Sequence, residues 1–161
     1  MKDSRLGVFG VLGIFVTGLF YFVLFSETSL YALLVFPVVG RACCLISASA
    51  APYAREEGMG RTTSFAGGSA SIAAAVISFV GASILIAPVY ILLSAPEKQS
   101  AVFLAIAPFV CSLIAALAAA IVTVCITISF KKKLGGVTGD TFGAVIEISS
   151  VVYLLVFTLI Y

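Results

Sequence analysis

Residues 101–130, AVFLAIAPFVCSLIAALAAAIVTVCITISF, run without one charged side chain and stop at Lys131-Lys132-Lys133. A membrane-crossing helix needs about 20 consecutive apolar residues, so this stretch is long enough to cross a bilayer with length left for tilt or a bend near Pro108. Working outward, breaks at charges and turn residues define four more apolar segments. The spans expected are 7–25, 30–51, 70–94, 100–129 and 142–161. Pro37 and Pro88 lie inside the second and third, where neighbouring helices can re-satisfy the freed carbonyls. Ala73-Ala74-Ala75 and Ala115-Ala116-Leu117-Ala118-Ala119-Ala120 are small-residue runs that let helix backbones approach closely.

The whole composition agrees with that reading. Of 161 residues, 62% are hydrophobic and 10% charged, and the mean hydropathy is +1.25. A soluble domain carries about 25% charged residues. This balance excludes an ordinary water-soluble domain, a disordered tail and a nucleic-acid binder. The expected fold is therefore all-α, a polytopic membrane bundle of five transmembrane helices in a single domain. There is no histidine, which removes imidazole acid–base chemistry. Cys43, Cys44, Cys111 and Cys125 all lie in apolar runs and read as packing residues.

Seven of the basic residues fall on one side of the expected bundle: Lys2, Arg5, Arg55, Arg61, Lys131, Lys132 and Lys133. The opposite side has only Lys98. The positive-inside rule then places the N-terminus in the cytoplasm and the C-terminus outside; the membrane expected is the cytoplasmic (inner) one, with the active face toward the cytoplasm. Most of the chemically versatile side chains gather on that same side.

Three clusters there could bind phosphate. Lys2-Asp3-Ser4-Arg5 precedes the first span, where Asp3 could hold Mg²⁺ and Arg5 phosphate oxygens, or the group could simply anchor the helix. Residues 52–61, PYAREEGMGR, carry Arg55 and Arg61 among two carboxylates and two glycines, which makes either an anion-closing loop or a solvated connection. Residues 131–141, KKKLGGVTGDT, place Gly135, Gly136 and Gly139 where backbone N–H groups can turn toward an anion at a helix N-terminus. There Asp140 could cap the helix or bind Mg²⁺, and Thr138 could donate to a phosphate. A flexible hinge behind a basic anchor would look similar.

Two charges fall inside spans, where each costs roughly 2.5–3.5 kcal/mol on insertion scales. Arg41 is near mid-bilayer, and Glu147 shares a face of the fifth span with Asp140. Both are expected to point into the bundle, with Arg41 reaching toward the cytoplasmic side to pair with Glu147.

Three stretches, MKDSRLGVFG at 1–10, PYAREEGMG at 52–60 and GGVTGDTFGA at 135–144, resemble the cobalamin synthase family in order and wording. Val39-Gly40-Arg41 and Ile146-Glu147 fit the same pattern. The resemblance implies an integral membrane, Mg²⁺-dependent adenosylcobinamide-GDP ribazoletransferase acting in vitamin B12 lower-ligand assembly. In that reaction an oxygen of α-ribazole or its 5′-phosphate attacks the cobinamide-side phosphate of adenosylcobinamide-GDP, and GMP leaves. On this reading Asp3 and Asp140 are expected to be the catalytic carboxylates, holding metal or orienting substrate. Arg5, Arg55, Arg61, Gly135, Gly136, Thr138 and Gly139 would be the phosphate ligands. The chain resembles the later two-thirds of such synthases and lacks their acidic Asp-Gly-x-Ala-Asp-x-x-Asp-Gly motif. A longer natural polypeptide or a separate chain is expected to supply that motif, and a homo-oligomer is compatible with the reading. The alternative from another class is a non-catalytic membrane subunit or small transporter component.

Overall fold

The structure, a computed structural model, describes residues 8–54, 68–94 and 101–161. Its helices are α1 (Val8–Glu27), α2 (Leu30–Ala50), α3 (Ser69–Ser94), α4 (Ala101–Leu134) and α5 (Gly139–Ile160). All five are long and apolar enough to cross a membrane. The chain is an integral membrane protein of the all-α class.

Helix ends follow from local chemistry. Ser29 caps α2, its Oγ accepting from the Ala32 N–H at 3.5 Å, so the two residues between α1 and α2 suffice to turn the chain back. Helix α4 runs through Lys131-Lys132-Lys133 to Leu134, beyond the end expected at 129. Cationic side chains in a last turn interact favourably with the carbonyl end of the helix dipole. Gly135 then stops the helix with φ +78°, and its N–H bonds back to Lys131 O at 3.1 Å. Pro108 lies within α4 without interrupting it.

Helix α2 is the centre of the bundle and packs on α3, α4 and α5. Its buried residues include Tyr31, Val35, Val39, Ala42 and Cys43, a stripe with helical period. Helix α3 presents Ser71, Ala75, Phe79, Ser83 and Tyr90, and α4 presents Ser112, Ala115, Ala119, Thr123 and Thr127. The alanine-rich runs thus supply close-packing positions on α3 and α4, as small residues do between membrane helices. The buried Ser83 and Thr123 hydroxyls find no hydrogen-bond partner among the described residues, but others cross the core in pairs: Thr127 and Ser47 share a hydrogen bond of 2.8 Å, and so do Ser112 and Tyr153, also at 2.8 Å. Such pairing removes the cost of a lone hydroxyl away from water.

The outward faces are apolar, with Ile77, Leu85, Leu92 and Ile121 all exposed. In water that surface would aggregate; against acyl chains it is solvated. Helix α1 is the peripheral member. It touches α5, and its Tyr21 and Phe25 form a ring cluster with Phe36 of α2, with centroids 5.4 to 6.1 Å apart.

Candidate functional site

The link between α4 and α5 is tied to the chain leaving α2. Tyr53 and Val137 form a parallel bridge, with Ala54 N–H donating to Val137 O at 2.8 Å and Val137 N–H to Pro52 O at 2.9 Å. These bonds satisfy backbone groups that would otherwise lie unpaired beside buried Val137 and Ala51. A Cβ on Gly136 would run into Pro52 O and come within 3.1 Å of the Ala54 nitrogen, so only glycine permits this approach. Sequence stretches more than 80 positions apart, 52–54 and 135–138, are therefore brought together at one end of the bundle.

Helix α5 starts at Gly139, three residues before its continuous apolar run, because Thr138 caps it. Thr138 Oγ1 accepts from Thr141 N–H at 3.4 Å, and Thr141 Oγ1 accepts from Thr138 N–H at 2.7 Å. Of the two roles open to Asp140, cap or Mg²⁺ ligand, this reciprocal box gives the cap to Thr138. Thr138 is buried and its hydroxyl serves the helix entrance. Gly139 and Asp140 stand exposed in the first turn of α5, and Lys131, Lys132 and Lys133 are exposed in the last turn of α4. Of the glycines expected to cradle phosphate, Gly135 ends α4, Gly136 makes room for Pro52, and Gly139 opens α5 with no atom near its Cβ direction. The N-terminal tip of α5 is exposed and positive by its dipole, and the lysines that end α4 precede it by a few residues. Asp3, Arg5, Arg55 and Arg61 lie outside the described residues.

Mg²⁺ needs only one or two carboxylates when substrate phosphates complete its octahedron. No group of three or more His, Cys, Asp or Glu gathers among the described residues. Asp140 fits as one such ligand beside phosphate oxygens.

Arg41 and Glu147 are not paired, which corrects the expected intramembrane ion pair. Arg41 donates from Nη1 to Pro37 O at 3.1 Å, one turn back along α2. Its side chain thus leans toward the start of α2, as helical side chains do, and away from the end where α5 begins. Glu147 Oε2 accepts from Tyr21 Oη on α1 at 2.8 Å. Both charges are exposed rather than turned into the core. The reason is rotational. The α2–α5 contact falls on Gly40 against Ile146 and Ser150, and each charged residue is one position on, about 100° round its helix.

Tyr21 carried no signal that reasoning along the sequence could use, since one tyrosine in an apolar helix is ordinary. Its position reveals a groove between α1 and α5 of about 620 Å³, bounded by Gly10, Gly13, Tyr21, Ala144, Glu147 and Ile148 among others.

Comparison with known proteins bears on this geometry. A family model described as cobalamin-5-phosphate synthase matches residues 1–158. The chain is 36% identical to an adenosylcobinamide-GDP ribazoletransferase of Fusobacterium nucleatum, over 99% of this chain and 60% of that protein. It is 37% identical to one of Alkaliphilus oremlandii, over 96% of this chain and 55% of that protein. A third, from Geotalea daltonii, is 34% identical over 96% of this chain and 56% of its own length. The chain spans 55–60% of the length of these relatives. No solved structure matches it.

Proposed function

The chain belongs to the cobalamin-5-phosphate synthase family, and from that premise we propose that it forms part of a membrane-embedded adenosylcobinamide-GDP ribazoletransferase. An oxygen of α-ribazole or its 5′-phosphate would form the new bond to the cobinamide-side phosphorus. The bond from that phosphorus to the GMP oxygen would break, and the proton of the attacking group would leave to solvent or to GMP. The observation that carries the reading is the Tyr53–Val137 bridge. It holds residues 52–54, where one stretch typical of the family begins, against Val137 in the other, at the same end of the bundle.

Phosphoryl transfer asks chiefly for positioning and for positive potential where charge develops. In this reading the first N–H groups of α5 and the lysines at the end of α4 face the pyrophosphate of the substrate. The capping box and the bridge keep that tip from shifting between substrate and transition state. Mg²⁺, when bound, would neutralise phosphate oxygens, with Asp140 as a ligand. Arg5, Arg55 and Arg61 would complete the anion site, and Asp3 would be a second carboxylate. By the distribution of basic residues this end faces the cytoplasm of a cell with an inner membrane, which suits soluble nucleotide substrates.

The test is GMP binding to the purified chain in detergent, with and without Mg²⁺. Saturable, Mg²⁺-dependent binding that weakens at least tenfold in Asp140→Asn is expected. A metal-holding Asp140 is distinguishable from a bystander, because removing a bystander's negative charge would tighten anion binding. A folded chain with no saturable binding would favour the membrane subunit without catalysis.

A further inference from the structure

The α1–α5 groove pairs an apolar position in the bundle with a chemical group that acyl chains cannot satisfy. Its volume, about 620 Å³, falls within the range of small-molecule sites, about 300–1,000 Å³. Gly10 and Gly13 keep the α1 wall low, and at Gly13 an added Cβ would find no atom within 4 Å. The polar floor is the hydrogen bond of 2.8 Å from Tyr21 to Glu147. An ionised carboxylate offers about four acceptor positions. Among the described residues only the Tyr21 hydroxyl engages this one. Lipid tails have no donors for the rest, and an ionisable group at this depth is expensive unless something answers it. The space therefore suits an occupant with apolar bulk and N–H or O–H donors on its rim.

The α5 wall of the groove lies on the helix face that begins at Asp140. Asp140, Ala144, Glu147 and Ile148 recur at the i, i+4, i+7 and i+8 spacing of one helix face. The step from Asp140 to Glu147 covers about 10 Å along the axis. A ligand with phosphates at Asp140 would lay its other end along Ala144 toward Glu147. We propose that this groove receives the amide-bearing edge of a bulky organic group, its N–H donors meeting Glu147 and Tyr21. Resting on the transferase reading above, that group is the cobinamide portion of the substrate.

The experiment uses the full 161-residue chain in detergent and cobinamide alone, without nucleotide, as the probe, followed by corrin absorbance in equilibrium dialysis. Saturable binding is expected in the unaltered chain. Gly13→Leu, which puts a side chain into the groove from a position whose Cβ meets no atom within 4 Å, should abolish it. Glu147→Gln, which keeps shape and loses charge, should weaken it about tenfold, the scale of a hydrogen bond to a charged group. Binding of GMP with Mg²⁺ should stay within twofold in both variants. Cobinamide binding that is absent from the unaltered chain, or unmoved by both substitutions, overturns the groove as a site, and retained GMP binding then leaves the transferase reading standing. Loss of GMP binding from the unaltered chain is instead a failure of that reading. A change of oligomeric mass in Gly13→Leu with cobinamide binding intact would assign the groove to a helix of another copy and also overturn the proposal.

Discussion

Helix α5 makes two seams with small residues, one closed and one open. Against α2, a Cβ on Gly40 would meet the Ser150 hydroxyl and lie 3.2 Å from Ile146 Cγ2 and 3.3 Å from Ile146 O. On the α1 side, Gly13 and Gly18 line the groove and have no atom within 4 Å of a Cβ position. The same residue type thus does opposite work. At Gly40 it allows two backbones to approach, as at other membrane helix contacts. Along α1 it leaves a cavity, and the carboxylate placed there meets a phenol instead of a packed wall. Glycine in a membrane helix signals that space matters; whether the space is closed depends on where the partner helix comes to lie.

The closed seam continues past the helices into the Tyr53–Val137 bridge, and its end should be the most sensitive point. Gly136→Val would press a side chain against Pro52 O, a backbone atom that cannot rotate away. Destabilisation near the top of the usual overpacking range of about 1–3 kcal/mol is expected, read as a lowered midpoint of thermal unfolding in detergent. Because the bridge positions the α5 tip, GMP binding should fall with it. A Gly136→Val chain that unfolds and binds like the parent would remove the bridge from the account.

Within the membrane the two seams can be set against each other by one substitution. Gly40→Ala should cost about 1–2 kcal/mol, since the Ser150 hydroxyl can swing aside but the Ile146 backbone cannot. Gly18→Ala on the open side should change stability by less than about 0.5 kcal/mol, as substitutions away from packed features do. Equal effects at the two positions would mean that the seams are alike in the membrane.

The smallest expected effect concerns the charges. A double-mutant cycle of Tyr21→Phe with Glu147→Gln should give a coupling of about 0.6 kcal/mol, the average for hydrogen bonds between membrane helices. The cycle of Arg41→Ala with Glu147→Gln should be additive within about 0.3–0.5 kcal/mol. Coupling in the second cycle and none in the first would restore the ion pair and discard the phenol–carboxylate contact.

The sequence by itself determined what depends on composition and on near neighbours along the chain. Charge-free runs such as 101–130 specify membrane helices because the bilayer excludes unsatisfied backbone and most charge, whichever helices later adjoin. The resemblance at 1–10, 52–60 and 135–144 was equally legible, since it rests on residue identity, and it named the family that the comparisons show. The Thr138 cap lay within reach too: a threonine three residues before another at a helix start is local chemistry, though the reading offered the cap only as one of two roles for Asp140 and gave Thr138 to a phosphate. Tertiary structure alone decided the rest. Gly136 read as a phosphate-loop or hinge glycine, and only the fold shows its further task of making room for Pro52, from a stretch far away in sequence. Arg41 and Glu147 looked like partners because both are rare charges in apolar spans. The α2–α5 contact, though, falls one residue before each, and a rotation of about 100° separates a facing pair from two unrelated side chains. Period along one helix tells which residues share a face; only the packed bundle tells what that face meets.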